Sequence, residues 1–178
     1  MKKPTISTLK ELKKSGYKTE SIKDELKRNL TQVLKDGKKT FEKIHGYENS
    51  VIPQLERAIL AGHNINFLGL RGQAKTRLAR QMVNLLDEWI PVIKGSEIND
   101  DPISPISSKG KEIIKNFGDK TEIDWIHRNE RFYEKLATPD VSVADLIGDL
   151  DPIKAASLKL SYSDERVIHF GMIPRANR

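Results

Sequence analysis

Asn64-Ile65-Asn66-Phe67-Leu68-Gly69-Leu70-Arg71-Gly72-Gln73-Ala74-Lys75-Thr76, followed by Arg77-Leu78-Ala79-Arg80-Gln81-Met82-Val83, is the stretch on which the reading of this chain turns. A short apolar run rich in β-favouring residues enters a glycine-containing turn. A 3.6-residue apolar period begins where the turn delivers Lys75 and Thr76. The pattern predicts a strand, a phosphate-binding loop and a helix. Against G-x-x-x-x-G-K-[ST] it matches at Gly69, Lys75 and Thr76 and departs once, where Ala74 stands for the second glycine.

A polyphosphate makes three demands, and this stretch meets each with a different group. Backbone N–H groups must converge on the oxygens, so the loop must carry little side-chain bulk, as Gly69, Gly72 and Ala74 allow. The helix opening at Lys75 turns unpaired N–H groups and the positive end of its dipole toward the same anion. Lys75 then brings a mobile charge to the outer phosphates, and the Thr76 hydroxyl can ligate a bridging Mg²⁺. The competing reading is an ordinary strand-turn-helix with Lys75 as a solvated charge. Alanine at position 74 is comfortable at negative φ and strained at positive φ.

The residues Gly69-Leu70-Arg71-Gly72-Gln73-Ala74-Lys75-Thr76 resemble the phosphate loop of the MoxR group of AAA+ ATPases, relatives of the magnesium chelatase ATPase subunit. The resemblance implies a P-loop α/β fold of three layers with a mainly parallel sheet, and ATP and Mg²⁺ as cofactors. The loop from Gly69 to Ala74 would donate N–H groups, Lys75 would hold β- and γ-phosphates, Thr76 would ligate Mg²⁺, and Arg77 would lie beside them. Upstream, Ile44-His45-Gly46-Tyr47 is similar to the segment that lies along the adenine ring in AAA+ proteins. The resemblance spans about residues 41–178. It leaves residues 1–40 as a basic helical N-terminal extension and 41–178 as the front half of an ATP-binding domain.

Composition bounds the alternatives. With 178 residues and 20.2 kDa, the chain suffices for one domain with a real core. No apolar run approaches the ~20 residues a bilayer span needs, and the basic N-terminus is followed by no apolar segment of the kind a secretory signal requires. With no cysteine, disulfides and thiolate chemistry are excluded, and a reducing cytoplasm is the default expectation. Met1 to Lys43 holds 13 basic and 6 acidic residues, an excess of +7, while the remainder carries −1. The interspersed acids favour a solvated helix face over a nucleic-acid contact for this arm. His45, His63, His127 and His169 are isolated, without the spacing a zinc site needs.

Along the chain, residues 1–18 offer only Leu9 and Leu12 as helical hints and are expected to fray. Ser21 caps a helix through Ile22, Leu26, Leu30, Val33 and Leu34, closed by Gly37. A second helix runs from Val51 to Ile59 with Pro53 in its first turn. The helix after the phosphate loop is expected to bury Leu78, Met82, Leu85, Leu86 and Trp89 and to stop at Pro91. Short helices are expected at 108–117 and 122–128, and a strand at Phe132–Leu136. Ser142 caps a short helix through Ile147, and Leu158–Leu160 with Arg166–Phe170 reads as a β-hairpin.

That hairpin and the closing Arg175-Ala176-Asn177-Arg178 are similar to the helix-2 insertion of the chelatase and MoxR ATPases. The Walker B carboxylate, sensors and lid have no counterpart here, so the chain is read as an ATP-binding front half, inactive alone as a hydrolase. Full-length relatives form rings, usually hexamers of self, and remodel protein partners, often ones with a von Willebrand factor A domain. Two other readings stand beside this one: an AAA+ DNA-associated regulator using the Lys-rich arm, and a nucleotide-responsive interaction module without catalysis.

Overall fold

The computed structural model describes residues 3–178; Met1 and Lys2, part of the terminus expected to fray, lie outside the described residues. In chain order the helices are α1 (Leu9–Lys14), α2 (Ile22–Lys35), α3 (Val51–Leu60), α4 (Lys75–Gln81), α5 (Ser108–Phe117), α6 (Val143–Leu146), α7 (Pro152–Leu158) and α8 (Met172–Arg175). The strands are β1 (Trp89–Ile93), β2 (Ile123–His127), β3 (Gly148–Leu150) and β4 (Ile168–Phe170). The chain divides into two compact units: Glu20–Glu88, and Trp89–Arg178 together with the N-terminal residues through Thr19.

The Glu20–Glu88 unit is helical. Ser21 accepts a hydrogen bond from the Asp24 N–H at the start of α2. At its end Gly37 takes φ +67°, and the N–H groups of Gly37 and Lys38 close on Leu34 and Val33 carbonyls. Pro53 sits third in α3, where no intrahelical N–H bond is lost. Leu30, Phe41, Ile44, Leu55, Ile59, Leu78 and Leu85 form the core. Ile65 and Phe67 pack against it while Asn64, Asn66 and Leu68 are exposed. The expected strand before the loop therefore has strand-like sidedness but no ladder among the described residues. At the far side of the core, buried Glu25 accepts from the Asp87 N–H at 2.7 Å, and Arg28 bridges Glu20 and Asp87.

The second unit corrects several expectations. The helix after the loop ends at Gln81, passes through a 3-10 turn at Met82–Leu85, and gives way to β1, so Trp89 and Pro91 lie in a strand. Ile93 donates to the Asp100 carbonyl, away from β2, so Pro91 on that same edge needs no N–H. Residues 122–128, expected helical, supply β2, which pairs antiparallel with β1 from Trp89 opposite His127 to Ile93 opposite Ile123. Phe132–Leu136 forms no strand. The expected hairpin at 158–170 is replaced by α7, which Asp151 caps through the Ile153 and Lys154 N–H groups. Leu150 instead pairs with Ile168 and Gly148 with Phe170.

The N-terminal segment is docked rather than frayed. Leu9 and Leu12 are 2% and 1% exposed against Ile123, and Thr8 with Glu11 forms a reciprocal cap on α1. Ser7 and Thr121 carbonyls accept from Ile123 and Leu9, and the Trp125 indole donates to the Ile6 carbonyl. Lys3 and Lys13 pair with Asp124 and Asp119, each at 2.7 Å.

Around Asp100, which is fully buried, the 96–107 loop is wound on one carboxylate. It accepts from the Ile106 N–H at 2.8 Å, the Ser107 N–H at 2.9 Å and the Ser96 hydroxyl at 2.7 Å, as well as from the Ser107 hydroxyl. Burial pushes this carboxyl up, but the bonds from Ser107, Ser96 and Ile106 outweigh it and hold the group below its ordinary range. Among the described residues no helix is long and apolar enough to cross a membrane.

Candidate functional site

The loop between Phe67 and α4 makes its turns with three positive φ angles: +154° at Gly69, +82° at Gly72 and +54° at Ala74. Glycine adopts such angles freely, and alanine in the left-handed region costs roughly 1–2 kcal/mol. Ala74 therefore sits in the strained case, as the residue that hands the chain into α4. Its methyl is half-buried against the core. An added Cβ at Gly69 would meet only the far end of the exposed Gln73 side chain, so its glycine is required by the positive φ more than by lack of space.

Lys75 opens α4 and folds back over the loop. Its ammonium donates to the Gly69 carbonyl at 2.8 Å and to the Leu70 carbonyl at 2.5 Å. The ammonium thus folds back onto the turn's own backbone, held by two neutral acceptors, which bind a cation less strongly than a charged oxygen does. Arg71 through Arg77 together with Arg80 line an open hollow of about 610 Å³. Its side-chain charges are Arg71, Lys75, Arg77 and Arg80, and no carboxylate is among the lining residues.

That polarity extends through the sequence: from Arg57 to Leu86 there are five Lys and Arg residues and no Asp or Glu. In a chain with 31% charged residues this is a marked segregation of sign. The Arg80 contribution was missed by motif matching, which stops at Thr76 and its neighbour. Its position one helical turn beyond Thr76 and Arg77 was the signal for it.

The residues expected along a base divide. Ile44 is 5% exposed and belongs to the core, packed with Phe41 and Leu55, so it faces inward. His45 is exposed, and it stands 3.9 Å from Glu48. Backbone N–H groups of Glu48 itself and of Gly46 hold that carboxyl below its ordinary range. Tyr47 is the one that reaches the loop, its hydroxyl donating to the Gln73 carbonyl at 3.5 Å. A separate hollow of about 250 Å³ lies beside Ile44 and His45, lined also by Thr40, Phe41, Glu48 and Ile52. No family model matches the chain, and neither a curated protein nor a solved structure matches it, so the loop's chemistry is read from its own geometry and charge.

Proposed function

We propose that this chain binds ATP through Gly69–Thr76, as the nucleotide-binding part of an AAA+ ATPase of the MoxR and magnesium-chelatase-like group. The observation that carries the reading is Lys75: its ammonium lies over a glycine-turned loop, on two carbonyls, in a hollow whose charged lining residues are all basic. In this reading loop N–H groups and Lys75 hold the outer phosphates. The Thr76 hydroxyl is the ligand this chain offers to Mg²⁺, which neutralises charge on the phosphates when bound. Tyr47 supports the loop from the base side. The three-layer P-loop fold with a mainly parallel sheet, the self-assembled hexameric ring, the cytoplasmic setting and a protein partner with a von Willebrand factor A domain all belong to the same proposal.

A second reading keeps the binding and drops the turnover. The hollow's lining includes no carboxylate that could orient an attacking water, which favours a nucleotide-responsive interaction module for this chain by itself. Thermal melting and phosphate release, run side by side with Mg·ATP, separate the two. A raised melting temperature supports binding, and a Lys75-dependent release of phosphate selects hydrolysis. If ATP leaves the melting temperature unchanged at a concentration of several millimolar, both readings fail.

A further inference from the structure

We propose that the N-terminal arm, residues 3–17, is an exchangeable element, and that the surface it occupies on β2 accepts the same arm from a second copy of this chain. The contacts that hold the arm are ones an identical segment would make equally well. Along the edge of β2 that faces away from β1, the Ile123 N–H donates to the Ser7 carbonyl and the Leu9 N–H donates to the Thr121 carbonyl, each at 2.9 Å. This is strand addition, and α1 then lays Leu9 and Leu12 against Ile123. Beyond them Lys13 reaches Asp119, the chain turns at Gly16 with φ +78°, and the Tyr17 hydroxyl joins Asp101 and Arg178.

The course of the chain makes this arm separable. It packs within the unit of Trp89–Arg178, whereas the sequence that follows it, Glu20–Glu88, forms the other unit. Lys18 and Thr19, which join the arm to that sequence, are exposed and lie in no helix or strand. Release of the arm gives up the contacts just named, and capture by a second copy restores each of them. The closed and exchanged forms then differ mainly by the entropy of joining two chains and by the strain in the joining residues. A tethered arm has a high effective concentration at its own site, so the closed form leads in dilute solution. A short joining segment erodes that lead, because it restricts how the arm folds back. Lys3–Asp124 and Lys13–Asp119 are about half exposed on both sides, so salt weakens these two anchors and loosens the arm.

The test uses the full chain, whose lack of native cysteine lets single cysteines be introduced cleanly. Lys13→Cys and Asp119→Cys replace the two sides of an exposed ion pair whose charged atoms stand 2.7 Å apart, one in the arm and one in its site. The two variants are mixed, concentrated, treated with a short bis-maleimide and resolved on a denaturing gel. Exchange predicts a covalent dimer of one chain of each kind, growing with protein concentration and with salt and absent from either variant alone. The double variant Lys13→Cys/Asp119→Cys, kept dilute, should link within one chain. If that internal link forms while no mixed dimer appears at any concentration, the inference is overturned; failure of the internal link overturns it as well. Adding Leu9→Ala to the Lys13→Cys chain should cut the mixed dimer at least ~tenfold, since it weakens the arm that is captured. Adding it to the Asp119→Cys chain should leave the mixed dimer unchanged or raise it, since it frees the site. Equal loss in the two pairings also counts against exchange.

Discussion

Asp100→Ala removes the acceptor around which the 96–107 loop is wound. Two backbone N–H groups and two serine hydroxyls lose their partner in a fully buried place. A hydrogen bond to a charged group contributes roughly 1.5–3 kcal/mol, and the four share one acceptor, so they do not add. About 4 kcal/mol of destabilisation follows, which in a chain of this size lowers the melting temperature by roughly 8–16 °C. The neighbouring packing is equally committed, since a Cβ on Gly110 would lie 2.7 Å from the Asp100 carboxylate. Asp100→Asn keeps an acceptor for the two N–H groups but forces the serines to reorient, and should cost about 1–2 kcal/mol.

Urea unfolding followed by tryptophan fluorescence is the assay, because both tryptophans, Trp89 and Trp125, lie in the β1–β2 pair of the same unit. A pH series adds a second handle. The folded carboxyl titrates below its unfolded value, so its contribution is present above the unfolded pKa of ~3.9 and is lost as pH falls through the lower folded one. Asp100→Asn should remove that part of the acid slope. An alanine variant that loses less than about 1 kcal/mol would refute the reasoning.

Three further outcomes are expected. Tyr17, whose hydroxyl donates to Asp101 and accepts from Arg178, is pushed up to about 12, chiefly by burial. Its folded pKa lies above the unfolded one, so its contribution is intact below about pH 10 and declines up to about 12, a decline that Tyr17→Phe should abolish in an alkaline unfolding series. Gly148 has φ +125°, and a Cβ there would meet the His169 carbonyl at 2.5 Å. Gly148→Ala should therefore cost at least ~2 kcal/mol in thermal melting, and a loss near zero would mean that β3 and β4 do not pair. Ala74→Val should lose about 1–2 kcal/mol, because a β-branched residue suits the left-handed region poorly, whereas Ala74→Gly should match or exceed the native melting temperature. Equal melting of the two variants would contradict the positive φ.

Local signals were legible where local chemistry decides the outcome. Ser21, Gly37, Pro53 and Ser142 carry their caps and turns in their own side chains or backbone freedom, and the structure places each as its neighbours imply. Asp151-Pro152 carried the same kind of signal, an N-cap followed by proline at the first helical position, and reading it would have prevented the mistaken hairpin. Ile90-Pro91-Val92-Ile93 is an unbroken apolar run, which periodicity cannot divide between buried strand and helix; the proline argued against the helix. Docking of Leu9 and Leu12 was hidden because their partner Ile123 is more than a hundred residues away.

For the loop, the residue types showed how an anion could be held but not the sign of φ at Ala74, which depends on the path of the chain into α4. Nor did the apolar character of Ile44 separate a face for a base from a place in the core. The charge of the hollow was spread over Arg71, Arg77 and Arg80, outside the motif's fixed letters, and emerged when the turn brought them around Lys75.

Calorimetric titration of Mg·ATP into the wild-type chain and into Lys75→Ala tests the phosphate loop most directly. The wild type should bind, and removing an ammonium that donates to phosphate should weaken binding by about 2 kcal/mol, or roughly thirtyfold, with circular dichroism unchanged. Absence of heat from a folded wild-type sample, or equal affinity in the two proteins, would contradict it.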